Sequence, residues 1–125
     1  MNPRARVLIV DDDSNISQMM ARALSRNGFD VEAVESASEA LPRFDATACD
    51  AAVLDLLMPD HDGVELAMAL RQRSPGLPIA FLTGYVNSPL LKWADKAAVR
   101  VFSKPMVIQE IVDFLRHELQ IDRDD

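Results

Sequence analysis

Five short, largely apolar runs, each cut off by a polar side chain, alternate along this chain with five longer stretches of helical periodicity. The third run constrains the fold most. Ala51-Ala52-Val53-Leu54 leads straight into Asp55, and Leu56-Leu57-Met58-Pro59 follow. Burying a lone carboxylate is costly unless it is paired or holds a cation, so an acid at the carboxyl end of a buried strand needs partners. The other runs show where to look for them. Arg6 to Val10 stops at Asp11-Asp12-Asp13, Pro78 to Leu82 at Thr83, and Arg100 to Ser103 at Lys104, while Asp30 to Val34 ends at Glu35. As a set these runs lack clean polar–apolar alternation, which predicts strands buried on both faces.

The intervening stretches read as helices. Asp13 or Ser14 can cap the first, whose stripe is Ile16, Met19, Met20, Ala23 and Leu24, and Gly28 is a suitable stop. Ser36-Ala37-Ser38-Glu39 resembles a capping box for a second helix reaching Thr47. Pro42 lies inside it, and an interior proline predicts a late start, a bend or a frayed end. A third helix over 63–73 carries Leu66, Ala67 and Leu70 on one stripe, after a turn-rich loop from Met58 to Asp62. A fourth is predicted from Ser88-Pro89, with Pro89 at the first helical position. The fifth presents Ile108, Ile111, Val112, Leu115 and Leu119. Alternation of this kind implies right-handed crossovers and a parallel sheet covered on both faces, with its ligand site at the carboxyl ends of the strands.

In such a sheet Asp11, Asp12, Asp55, Thr83 and Lys104 all project toward one edge. Three carboxylates at close range repel one another, and a divalent cation removes that repulsion. Oxygen ligands with room for water suit Mg²⁺ or Mn²⁺ better than zinc. Asp55 could then act as a carboxylate nucleophile and become an aspartyl phosphate, with the metal, Lys104 and the Thr83 hydroxyl neutralising and holding the phosphoryl oxygens. Taken singly, a triple aspartate is a solvated turn with a helix cap, which is how Asp13 reads, and Lys-Pro is a loop. The force lies in each residue following its own strand.

The bulk numbers narrow the field. A chain of 125 residues suits one domain with a real core. A net charge of −7 disfavours direct nucleic-acid binding, which relies on cationic contacts. One cysteine, Cys49, excludes an intrachain disulfide and reads as a small buried hydrophobe. No apolar run is long enough to span a membrane, and the start of the chain does not read as a signal peptide, so the cytoplasm is the expected location.

Val7-Leu8-Ile9-Val10-Asp11-Asp12-Asp13, Val53 to Pro59, Asp62-Gly63, Leu82-Thr83-Gly84 and Lys104-Pro105 together resemble a response-regulator receiver domain of two-component signalling. The likeness covers nearly the whole chain. It implies a flavodoxin-like, doubly wound α/β fold with five parallel strands in the order 2-1-3-4-5 and five helices, forming a single domain over residues 1–125, its core at about 5–120 and its C-terminal tail polar. It implies Asp55 as phosphoacceptor, charged from a sensor histidine kinase or a phosphotransfer protein. By the same likeness Mg²⁺ is held by Asp11 through water, Asp12, Asp55 and the backbone carbonyl of Leu57. Thr83 and Lys104 take the family's switch and lysine roles, and the peptide before Pro105 is cis. Trp93 reads either as core edge or as part of an exposed partner patch; the face of helix four, strand five and helix five is where the family often places homodimer or effector contacts, which favours the partner contact.

The chain departs from the family pattern at one of the positions tied to switching. Val101 stands where the family usually carries Tyr or Phe, and Phe102 beside it should face the other way in a strand. Leu57 and Tyr85, two residues after Asp55 and Thr83, are bulky enough to modulate the lifetime of the phosphoryl group by excluding water. His61 and His117 read as surface histidines. Competing readings are a Mg²⁺-dependent phosphatase of the haloacid-dehalogenase type, since Asp11-Asp12-Asp13 contains Asp-x-Asp, and an interaction domain independent of phosphorylation.

Overall fold

The protein is described here by a computed structural model covering residues 4–121; residues 122–125 of the expected polar tail lie outside the described residues. The elements run β1 (Arg6–Val10), α1 (Ser14–Arg26), β2 (Asp30–Val34), α2 (Ala37–Thr47), β3 (Ala51–Leu54), α3 (Gly63–Arg73), β4 (Ile79–Thr83), α4 (Leu91–Lys96), β5 (Arg100–Ser103) and α5 (Ile108–Leu119). The five strands form one parallel sheet in the order β2-β1-β3-β4-β5. This is the flavodoxin-like arrangement that the family resemblance implied, with the parallel sheet that the alternating pattern predicts.

The strands are apolar on both sides because each side meets its own helix layer. Leu8, Val10, Ala52, Leu54, Ile79 and Phe81 pack with α2, α3 and α4. Val7, Ile9, Ala51, Val53, Ala80, Leu82 and Phe102 pack with Met20 and Leu24 of α1 and Ile111, Val112 and Leu115 of α5. Adjacent residues of one strand therefore serve opposite layers. Val101 joins the first layer and Phe102 the second, as strand geometry requires.

Helix ends follow the side chains available to them. Asp13 accepts from the Asn15 and Ile16 N–H groups, and Asp62 from Glu65 N–H, capping α1 and α3. Gly28 adopts φ +96 just past α1, a conformation open to glycine without strain. In α2 the Ser36 hydroxyl accepts from Glu39 N–H at 3.2 Å.

Two helix expectations need correction. Despite Pro42, α2 neither starts late nor stops early: it runs without a break from Ala37 to Thr47. A proline there forfeits one backbone hydrogen bond, and Ala40 and Phe44 on either side are buried in the core, holding the helix to the sheet. The fourth helix does start late. Its α-helical part is only Leu91–Lys96, so Pro89 lies before it instead of at its first position. Ser88, Pro89 and Leu90 carbonyls accept from Leu91, Lys92 and Trp93, each three residues on, so the entry is wound in the tighter 3₁₀ manner. At the other end, the Arg71 guanidinium of α3 donates to the Ala97 carbonyl and fixes the C-terminus of α4.

Candidate functional site at the carboxyl edge of the sheet

The register of the central strands builds the site. Val10 pairs with Leu54, so the next residues, Asp11 and Asp55, leave the sheet side by side. Asp55 N–H still donates to the Val10 carbonyl at 2.8 Å, and Asp11 N–H to Val34 at 3.2 Å. Their backbones are therefore held as firmly as strand residues. On the other side of β4, Lys104 N–H donates to the Thr83 carbonyl at 2.9 Å, placing the lysine at the same edge. The Lys104–Pro105 peptide that follows is cis.

Asp11 and Asp55 are 2% and 6% exposed. Carboxylate oxygens of Asp11, Asp12 and Asp55 lie within 4.8 Å of one another. The Lys104 ammonium stands 3.0 Å from Asp11 Oδ2 and 3.5 Å from Asp55 Oδ2. One cation thus faces three acids. Burial first, and then the Asp11 charge, push the Asp55 carboxyl up to about 6, with Lys104 pulling the other way. Burial works against the Lys104 ammonium as well, but Asp11 and Asp55 outweigh it and raise its pKa. Asp11 Oδ2 is buried and accepts no hydrogen bond among the described residues, leaving the ion pair as its compensation. An oxygen-only cluster with one such atom fits a small divalent cation.

A cleft of about 570 Å³ opens over these groups, lined by Asp11, Asp12, Asp13, Asp55, Leu57, Gly84, Tyr85 and Lys104. Leu57 and Tyr85, the two bulky residues flanking the acceptor position, are 39% and 60% exposed and form part of its wall. Asp13 both caps α1 and lines the cleft, a double role that its reading as a cap did not include.

Thr83 is placed differently from its neighbours. It is fully buried at the end of β4 and does not line the cleft. Its hydroxyl oxygen accepts from Tyr85 N–H at 2.9 Å. That bond leaves the hydroxyl proton free to donate. Val101 is half-buried in the α2–α3–α4 layer, where Trp93 of α4 also packs. Trp93 lies against Phe81 with ring centroids 6.3 Å apart, so its inner side belongs to the edge of the core while part of it stays exposed. His61 and His117 are exposed.

Two residues have contacts that the sequence does not announce. Gly63, part of the Asp62-Gly63 motif and given no role of its own there, sits under Asp55: a Cβ there would fall 2.5 Å from the Asp55 carbonyl oxygen and 3.1 Å from the Phe81 ring. Only glycine lets α3 begin this close to the strand end. Asp60 reaches out of the loop after β3 to accept from Ser38 N–H at 3.2 Å. Nothing local in the sequence announces a contact between residues so far apart.

A doubly wound five-stranded sheet with three carboxylates and a lysine gathered at its carboxyl edge defines a receiver-type module. The chain belongs to the response regulator receiver domain family, whose model matches residues 7–116. It is similar to response regulator MprA of Mycolicibacterium vanbaalenii, 36% identical over 112 residues that make up 89% of this chain and 48% of that protein. MprA of Mycobacterium avium is likewise 36% identical, over 89% of this chain and 49% of that protein. The chain thus spans about half the length of the curated relatives it matches. Among solved structures, a CheY-like response regulator receiver domain protein from Methanospirillum hungatei superposes with a TM-score of 0.89 at 26% identity, covering 94% of this chain and 95% of that one. Chemotaxis response regulator CheY4 of Vibrio cholerae gives 0.81 at 29% identity, covering 93% and 99%. No helix among the described residues is long and apolar enough to cross a membrane.

Proposed function

We propose that this receiver domain accepts a phosphoryl group on Asp55 from the phosphohistidine of a sensor histidine kinase or phosphotransfer protein. The observation that carries the reading is the buried Asp55 carboxylate, packed among Asp11, Asp12 and Lys104 beneath an open cleft. A carboxylate oxygen of Asp55 attacks phosphorus as the phosphorus–nitrogen bond breaks, and the imidazole leaves with the bonding pair. Phosphoryl transfer asks mainly for positioning and charge neutralisation. Lys104 supplies charge from 3.5 Å, and the free proton of Thr83 supplies a donor once its side chain turns toward the new group. Mg²⁺ or Mn²⁺, held by Asp12, Asp55, the Leu57 carbonyl and Asp11 through water, would add Lewis-acid neutralisation of the phosphoryl oxygens.

In this reading the domain is a signalling switch and no enzyme in the ordinary sense; it catalyses only its own phosphorylation and dephosphorylation. Reorganisation of the Thr83 loop changes the face made by α4, β5 and α5, and that face contacts the output partner or a second copy. The expected setting is the cytoplasm, where the donor kinases present their phosphohistidines. The test is to incubate the protein with acetyl phosphate and follow intact mass. One phosphoryl group per chain, not formed when EDTA is present from the start, supports the reading. Multiple turnover of a phosphomonoester with no stable label would replace it with a phosphatase.

A further inference from the structure

The loop after β3 carries the proposed metal ligand, the Leu57 carbonyl; Met58 beside it is buried in the core, while the outer turn of Pro59, Asp60 and His61 is exposed. Leu57 forms an isolated bridge with Asp62, Met58 N–H donates to the His61 carbonyl at 3.2 Å, and Gly63 N–H donates to Leu56. These bonds close the loop on itself. Of the side-chain hydrogen bonds made by residues 57–61, the one that ties the loop to another element is Asp60 Oδ2 accepting from Ser38 N–H of α2, at 3.2 Å.

That donor is available for a specific reason. The first N–H groups of a helix have no partner within it. In α2 the Ser36 hydroxyl already accepts from Glu39, and the Ser36 carbonyl from Ala40. The Ser38 N–H is left over, and Asp60 takes it from 22 residues away. The slight burial of the Asp60 carboxyl works against its charge, but the helix N–H groups outweigh it and hold its pKa below the ordinary value. A carboxylate at a helix N-terminus is further favoured by the helix dipole. α2 in turn is anchored through Ala37, Ala40 and Phe44 in the core.

We propose that Asp60 is a positioning residue for the divalent cation: by tying the loop to the N-terminus of α2, it fixes the Leu57 carbonyl relative to Asp11, Asp12 and Asp55 and so sets metal affinity. The inference rests on the metal-binding reading of that cluster. Asp60 needs no contact with the ion. Groups that orient metal ligands typically change affinity by about 10–100-fold when removed.

Calorimetric titration of the full chain with MgCl₂ tests this. Asp60→Ala is expected to weaken Mg²⁺ binding roughly tenfold. Asp60→Asn keeps an oxygen acceptor for Ser38 N–H and is expected to retain most of the affinity. An amide NMR spectrum adds a second readout: Mg²⁺ should shift the Ser38 resonance in the wild type and leave it in place in Asp60→Ala. A purely structural role would lower the melting temperature of Asp60→Ala without changing its affinity, and that result overturns the proposal. So does an Asp60→Asn variant as weak as Asp60→Ala, which would assign the effect to charge. If the wild type itself takes up no Mg²⁺, the metal-binding reading fails and the inference falls with it. A wild type that binds beside an unaltered Asp60→Ala sinks the inference alone.

Discussion

At the residue scale, Asp55 behaves as the strained centre of the molecule. Its carboxyl is pushed up to about 6 from an ordinary 3.8 by burial and by Asp11. A carboxyl whose folded pKa exceeds its unfolded one takes up a proton on folding between the two values, so stability falls as pH rises through that window. Its cost is absent below about pH 4 and complete above about pH 6. In metal-free buffer, Asp55→Asn should therefore be more stable than the wild type at pH 7, by on the order of 1–3 kcal/mol, and melt at a higher temperature. The gap should close on acidification toward pH 4 and shrink when Mg²⁺ is added; thermal melts across pH, with and without EDTA, read it. A gap that widens with acid would contradict the assignment. Leu57 makes a separate prediction. Its side chain walls the cleft and has no polar atom with which to orient water. Leu57→Asn supplies one, and should accelerate loss of the phosphoryl group on the order of tenfold, the worth of about 1.4 kcal/mol in the barrier. The decay of labelled protein after removal of the donor measures this, and an unchanged rate would mean that Leu57 merely packs the loop.

At the element scale, sheet and helices differ in how firmly they are held, and the difference locates the moving part. Both layers of the core grip β1, β3 and β4 along their length. The α4 segment has six α-helical residues, no side-chain cap and a 3₁₀ entry, with Arg71 pinning its far end. In the segment between it and the site, Tyr85 N–H donates to the Thr83 hydroxyl. If Thr83 turns toward a phosphoryl group, Tyr85 N–H loses its acceptor and the start of α4 must find another arrangement. Trp93, packed on Phe81 two residues before Thr83, sits where that rearrangement is sensed. Phosphorylation should therefore change Trp93 fluorescence, and Thr83→Ala should keep the label while losing most of the change. An equal change in Thr83→Ala would place the relay elsewhere. This route uses the tryptophan of α4 in a layer where Val101 is too small to carry a large side-chain movement. It was hidden in the sequence, which could place Trp93 on a helix and not against Phe81.

At the scale of the whole molecule, the fold was legible because its causes are local. Apolar runs such as Ala51–Leu54 are buried on both sides, and βαβ chirality leaves few ways to order them. The polar groups that end the strands could be read for the same reason: in a parallel sheet the strand ends share an edge, so Asp11, Asp12, Asp55 and Lys104 come together without any long-range guess. What escaped the sequence depends on packing between distant elements. Pro42 is accommodated because the core holds α2 on both sides of it. The start of α4 is set by i+3 bonds that no propensity distinguishes from a full helix. Gly63 matters through the Asp55 carbonyl beneath it, and Asp60 through a helix end 22 residues away. The central claim, that this arrangement exists to hold a phosphoryl group on one aspartate, has one most direct test. The protein is labelled with acetyl phosphate and Mg²⁺, reduced with borohydride to trap the acyl phosphate, digested and sequenced by mass spectrometry, with Asp55→Asn in parallel. The account predicts a single modified residue, Asp55, and no label in the variant. Modification at Asp11, Asp12 or Asp13, or a variant labelled as fully as the wild type, would contradict it.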